Sequence, residues 1–343
     1  MRILHLSFHV GCINDLTYVF QTLGHSIDYE KMSVPGCRVT PQIAEDYWQK
    51  NVDRIQSYDA IVTSDTVALS YIFLRHIDEL KPHLIILNCN RFDYGMYSEG
   101  DFYTALRQIH KRTDKVTYIP ATAFEQIWCA RKNVYIYENP IPPIGKWDPT
   151  NTFTGKYILD DFGQIDRSAA SAADVDTVFI QMYHNHTRFM KLKELLVSRG
   201  VSVANGGYNY LHEIAGFKGL VVLPDAFCKW FAYESIQNGL LVFLPTQRFL
   251  LELTGRPNYF FNIEGSGGRL MPDWVNLCEW YHYPETRIYF DSFDDMIQKI
   301  KELTPDQRGE KQRWMRFYSE AIERDTLGRW RTIMDKVAMR SNT

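Results

Sequence analysis

Residues 219–245 read GLVVLPDAFCKWFAYESIQNGLLVFLP, and their pattern decides the fold. A short apolar run closes at Pro224. A helix-like stretch follows, carrying Tyr233, Glu234 and Gly239, and a second apolar run closes at Pro245. Apolar runs too short for helices and separated by a helical segment predict strand, helix, strand in a parallel sheet. In open sheets of this kind, ligands sit at the carboxyl ends of the strands. The segment therefore predicts a carboxylate and a helix start beside a ligand site.

The pattern extends in both directions. Upstream, strands are expected at 2–8, 58–63, 83–87, 116–119 and 134–137. Helices are expected at 16–23, 41–56, about 66–75, 102–110 and 123–130, with a turn over Gly11–Asp15. Thr40-Pro41 marks a helix start, with a capping hydroxyl and a proline at the first position. Glu138-Asn-Pro-Ile-Pro-Pro-Ile-Gly145 holds three prolines, a composition that stiffens and spaces domains. Beyond it the pattern restarts. Strands are expected at 177–182, 201–204, 220–223 and 259–263, and helices at 187–199, 211–215, 249–253, 292–303 and 305–323. The expectation is α/β, with two Rossmann-like doubly wound parallel-sheet domains facing a cleft: residues 1–145, residues 146–320, and a C-terminal helix, 321–343, packing back on the first.

A formal net charge of −3 gives no basic footprint for nucleic acid. The six cysteines (12, 37, 89, 129, 228 and 278) form no CxxC pair, which points to a reduced cytoplasmic protein rather than a disulfide framework or a zinc site. The opening run MRILHLSF is too short for a signal peptide or a membrane span. No transmembrane segment is expected, which leaves room for peripheral membrane contact. His184 and His186 lack an acidic or thiol partner set, so no metal site is expected there.

YESIQNGLLVFLP (233–245) resembles the C-terminal-domain signature of GT-B glycosyltransferases, in which a helix carries a glutamate, a glycine follows five residues on, and a strand begins. FKGLVVLP (217–224) resembles the strand before that helix. The resemblance implies a metal-independent glycosyltransferase that needs no resident cofactor. It would move a sugar from a nucleoside-diphosphate sugar, held by the second domain, to a hydroxyl of a glycan or small-molecule acceptor presented by the first. Glu234 would accept both ribose hydroxyls, which suits an acceptor-only carboxylate. The loop Tyr183-His184-Asn-His-Thr-Arg188 and Lys191 would face the diphosphate. Gly207 would admit the base or merely turn the chain; Asp225 and Tyr233 would flank the donor, and Lys229 would reach phosphate or simply sit in solvent. Many retaining members carry an acid eight positions before the glutamate. Here that position is Ala226, with Asp225 beside it, so the stereochemistry stays open.

In the first domain, Asn90, Arg91 and Asp93 follow the strand HLIIL. Asp93 is a candidate base, with Arg91 as its ion-pair partner or as a charge on the substrate; equally, the two brace a loop. Gly11 would allow close backbone approach, and Asp15 is a rival base or a helix cap. The alternatives are a nucleotide-sugar epimerase or hydrolase on the same fold, and a non-catalytic nucleotide-sugar-binding module.

Overall fold

The computed structural model describes residues 1–34, 37–90, 92, 100–146, 166–169, 174–181, 186–206, 211–227, 230–263 and 269–341. The chain divides into two compact units, Met1–Lys146 with Ile322–Thr343, and Trp147–Ala321.

In unit 1, strands β1 (Arg2–Ser7), β2 (Ser26–Lys31), β3 (Ala60–Ser64), β4 (His83–Asn88) and β5 (Val116–Pro120) form one parallel sheet in the order β2-β1-β3-β4-β5. Helices α1 (Val10–Thr22), α2 (Pro41–Ile55), α3 (Tyr71–Leu74) and α4 (Gly100–Gln108) lie in the crossovers, and α5 (Ala123–Arg131) follows the last strand. Strands β3, β4 and β5 are buried along their whole length, which explains their continuous apolar sequences. Thr40 caps α2 by accepting from the Ile43 amide at 3.2 Å, as its sequence predicts.

Three expectations fail in this unit. SIDYEK forms β2, an edge strand whose polar composition hides it; its side chains are exposed or half-buried. Helix α1 begins at Val10, so Gly11–Asp15 is helix rather than turn. Val134–Tyr137 joins no sheet among the described residues.

In unit 2, β6 (Asp166–Ala169), β7 (Thr177–Gln181), β8 (Ser202–Gly206), β9 (Gly219–Val221), β10 (Val242–Pro245) and β11 (Arg287–Phe290) are ordered β11-β10-β9-β7-β8-β6. Five strands are parallel; β6 pairs antiparallel with β8 at the edge. The helices are α6 (His186–Ser198), α7 (His212–Ala215), α8 (Trp230–Gln237), α9 (Gln247–Thr254) and α10 (Phe293–Glu302). The last helix, α11 (Pro305–Ser341), spans both units in sequence. Leu192 and Leu196 of α6, Phe249 and Leu253 of α9, and Met296 and Ile300 of α10 share one core with Val178, Val203, Val221 and Phe243 of the sheet.

The segment quoted at the outset folds as its pattern predicts. A Cβ on Gly219 would stand 2.6 Å from the Phe243 ring, so β9 starts on the residue that lets β10 pack against it. Gly239 adopts φ +65° and ends α8, with the Leu240 amide bonding back to Ser235 O at 2.8 Å. Residues 259–263 do not form the expected strand. They tie to the segment after β9 instead: the Asn262 backbone amide donates to Asp225 O at 2.7 Å and the Tyr259 side-chain hydroxyl to Pro224 O at 2.7 Å.

Strand β11, which the sequence analysis misses, carries the main brace of α8. Arg287 is 2% exposed. Its Nη1 donates to Ser235 Oγ at 2.9 Å and its Nη2 to Ala232 O at 2.5 Å, both on α8. The guanidinium carbon lies 5.9 Å from the Trp280 ring centroid, and burial pulls its pKa down to about 10. Lysine cannot reproduce the two-pronged donation. Arg287→Met should lower the unfolding free energy of the chain by about 3 kcal/mol in chemical denaturation, the loss of two charge-assisted hydrogen bonds, and Arg287→Lys should recover less than half of it.

Candidate functional site

Both sheets are doubly wound. In unit 2 the chain leaves β7 for β8 on one side and reaches β9 on the other, so the strand order reverses between β7 and β9. Such a reversal opens a crevice at the carboxyl ends of the two strands. Helix α6 starts five residues after β7 ends. Its free backbone amides and dipole make its start favourable for anions.

Glu234 lies on α8, the helix that follows β9. The sequence admits an amphipathic helix with Glu234 in solvent. The structure excludes that, because every residue from Trp230 to Ile236 is buried and Glu234 is 3% exposed. A glutamate at that depth has to be satisfied by partners. Its carbonyl oxygen accepts from the Asn238 side-chain amide at 2.8 Å, which adds a side-chain bond to the last turn of the helix. Asp225, nine per cent exposed, stands in the stitched segment after β9.

Tyr233 points elsewhere. Its hydroxyl donates to the Glu279 carboxylate, which also lies 3.3 Å from His282 Nδ1. The bond to Glu279 raises the His282 pKa. Tyr233 thereby ties α8 to the residues around 279–282, a packing role that its sequence position does not reveal.

Lys191, exposed on α6, lines a pocket of about 440 Å³ with Leu195, Leu223, Arg256, Tyr259 and Phe293. That volume falls within the range of small-molecule sites. Arg256 is held there by Glu252 at 2.7 Å, and Asn258 takes φ +65° in the turn beside it. Arg188 lies in the first turn of α6. The Arg188 side chain, Tyr183, His184, Gly207 and Lys229 fall outside the described residues, as do Arg91 and Asp93.

In unit 1 the reversal falls between β1 and β3, and polar groups collect at those strand ends. His5 Nε2 lies 2.8 Å from Ser64 Oγ, and full burial drives the His5 pKa down to about 3, so the ring is neutral. Asp65 follows β3 in the left-handed region at φ +73°, a conformation that non-glycine residues adopt mainly where the surroundings enforce it. His9, half-buried, caps the start of α1 through its backbone, with Nδ1 4.0 Å from Cys12 Sγ. The Cys12 thiol, beside Cys89 and Ser64, is raised in pKa by burial. Asn90 is half-buried two residues past β4. Buried His5 Nδ1, Thr63 Oγ1, Thr66 Oγ1 and Asn88 Oδ1 find no hydrogen-bond partner among the described residues. Unsatisfied buried polar atoms are costly and rare in folded proteins, and four of them gather on β1, β3, β4 and the β3 exit. The spacing of the sequence shows none of this, because these residues are far apart in the chain and meet only through strand order.

Asp15 is placed differently from the strand-end groups. It sits in the middle of α1 at 1% exposure. One oxygen accepts from the Gly145 and Lys146 amides at 2.7 and 3.2 Å and the other from the Ile144 amide at 3.1 Å. The carboxylate locks the end of the proline-rich segment onto α1. Gly11 lies in the first turn of the same helix and is buried.

Among the described residues no group of three or more His, Cys, Asp or Glu is arranged to hold a metal ion, and no helix is long and apolar enough to cross a membrane. No family model and no curated protein sequence matches the chain. Among solved structures, its fold is similar to CalG4, the calicheamicin glycosyltransferase, at 11% identity and a TM-score of 0.43, over 99% of this chain and 97% of that one. It is also similar to the GtfA/B complex at 11% identity and a TM-score of 0.42, over 86% of this chain and 60% of that one.

Burial pushes the Asp15 carboxyl up to about 6, against the pull of the three amides. Its pKa is therefore higher folded than unfolded, and the folded state binds the proton more tightly. The stability this group contributes is full below about pH 4 and is lost as pH rises through about 6. Asp15→Asn keeps an acceptor and does not titrate. The stability of the natural chain relative to Asp15→Asn should fall by about 2 kcal/mol between about pH 4.5 and about pH 7 in urea denaturation. A difference that is flat or rises with pH contradicts the assignment.

Proposed function

We propose that the chain is a glycosyltransferase that moves a sugar from a nucleoside-diphosphate sugar to an acceptor hydroxyl, with no metal ion in the reaction. The observation that carries this reading is the buried carboxylate of Glu234 on the helix following β9, in a unit whose strand order reverses one strand away. A carboxylate accepts hydrogen bonds and donates none, which suits a vicinal ribose diol. Burial in a low-dielectric setting strengthens such a bond.

The diphosphate belongs at the start of α6. There the backbone amides, Arg188 and Lys191 offset the charge that develops on the departing nucleotide. Preorganised donors of this kind supply about 3–4 kcal/mol each when they act on the transition state. They take over the charge stabilisation that a divalent cation gives other transferases.

Unit 1 presents the acceptor at the ends of β1, β3 and β4. Asp93, or the half-buried His9, takes the proton from the attacking hydroxyl, and Asn90 with Asp65 orients it. The unsatisfied buried atoms at those strand ends favour a polar ligand there. Asp15 is not given the proton, because both of its oxygens are engaged by amides. Five described cysteines are free, four of them buried, which favours a reducing compartment such as the cytoplasm.

Calorimetry with nucleoside diphosphates tests the reading. At least one should bind the natural chain, and Glu234→Gln should weaken it by about tenfold or more, equivalent to about 1.4 kcal/mol. Equal affinity removes Glu234 from the site, and no binding of any nucleoside diphosphate removes the reading. Turnover of the donor without an acceptor would move the chain to the hydrolases or epimerases.

A further inference from the structure

Past α5, residues 135, 137 and 138 share a pocket lining with Val116–Tyr118 of the edge strand β5. Val134 is buried, Tyr135 is 54% exposed, Ile136 is half-buried and Tyr137 is 68% exposed. Burial alternates along the segment, leaving the two phenols exposed while Val134 and Ile136 hold it to unit 1. The two rings line a pocket of about 240 Å³ together with His110, Thr117, Glu138 and Arg340.

The polar groups around it are fixed in advance. The His110 ring donates from Nδ1 to Arg107 O at 2.8 Å and meets Tyr135 edge-on, with centroids 6.1 Å apart. Lys336 Nζ holds both Glu138 oxygens at 3.1 Å. Thr117 Oγ1 bonds His83 Nε2 at 2.8 Å. Preorganised groups lose little entropy on binding.

We propose that this pocket is a carbohydrate-binding site separate from the reacting centre. A pyranose presents an apolar C–H face and a rim of hydroxyls. Two exposed phenol rings offer flat apolar surface with polar tips for the first. Arg340, a donor, and Glu138, an acceptor, also line the pocket and supply hydrogen-bonding groups for ring hydroxyls. The volume equals that of roughly eight liquid waters, enough for one sugar ring. It falls below the ~300 Å³ at which small-molecule sites of nucleotide size begin.

Position separates this pocket from the strand-end site. Val116, which also lines the pocket, starts β5 and Pro120 is at its carboxyl end, and a four-residue step along a strand is roughly 13 Å. The occupant is a second ring of a glycan, and the site retains the protein on its polymer whatever reaction unit 2 supports.

Saturation-transfer NMR on the full chain tests this, with methyl β-D-glucopyranoside, methyl α-D-mannopyranoside and N-acetyl-D-glucosamine as probes. At least one should receive saturation from the natural protein. The double variant Tyr135→Ala, Tyr137→Ala should bind that probe at least about tenfold more weakly, with a thermal midpoint within about 2 °C, since both side chains are exposed. Absence of transfer to all three probes, or equal affinity in the two proteins, overturns the proposal. If the double variant melts early, Arg340→Gln on the exposed face of α11 carries the same test, with a severalfold loss expected and no loss overturning it. Nucleoside-diphosphate binding should be equal in all three proteins, so this site and the Glu234 site fail independently.

Discussion

Everything in this molecule follows from burying parallel strands on both faces. A parallel pair cannot be joined by a tight turn, so each connection crosses over the sheet and carries a helix. The helices cover both faces, and the strands between them become unbroken apolar runs. All strand ends of one sense then collect along one edge, where backbone groups and helix starts are left without partners inside the sheet. Polar side chains at that edge are the natural ones to meet a ligand. The same constraint that buries 84–88 brings Asn90 to the half-buried end of the sheet.

Within unit 2 the placement of one carboxylate depends on elements far from it in sequence. Helix α8 is apolar nearly all round and is pinned by Arg287 from the edge strand, by Glu279 through Tyr233, and by Gly239 at its end. Three independent ties leave a two-turn helix little freedom. Glu234 is held by that helix rather than by a loop, which suits a group meant to meet a ligand in one geometry. The cost is a buried guanidinium, with Nε lacking a partner, beneath the helix.

The sequence makes the core of this design legible and hides its margins, for physical reasons. Runs such as YDAIVT, HLIIL and VFLP are strands because burial on both faces leaves no alternation to confuse with a helix. Thr40-Pro41 and Gly239 mark helix ends because capping is local chemistry. SIDYEK and RIYF escape notice because edge strands carry polar residues on their open face, and DRSA is shorter still. Val134–Tyr137 and Tyr259–Ile263 have strand composition, but one joins no sheet among the described residues and the other ties to the segment after β9. Of the candidate site, Glu234 is readable because helix, glycine and flanking strands are contiguous. The strand-end cluster of His5, Ser64, Thr66 and Asn88 is not, since only strand order brings it together. The pairing of Asp15 with residues 144–146 is hidden for the same reason.

Asp15 and Glu234 show how little residue type says about role once depth is equal. Each is a carboxylate at 3% exposure or less on a helix that follows a parallel strand. Asp15 spends both oxygens on three consecutive amides of one turn, a local, saturated arrangement that a ligand could enter only by breaking the turn. Glu234 sits on a helix tied down by its neighbours' side chains, with Tyr233 on one side giving its hydroxyl to Glu279 and Ser235 on the other taking Arg287. Residue type and depth are therefore shared by the two carboxylates, and only the packing around each tells them apart: three backbone amides close on Asp15, whereas Glu234 lies between two residues whose side chains tie α8 to its neighbours.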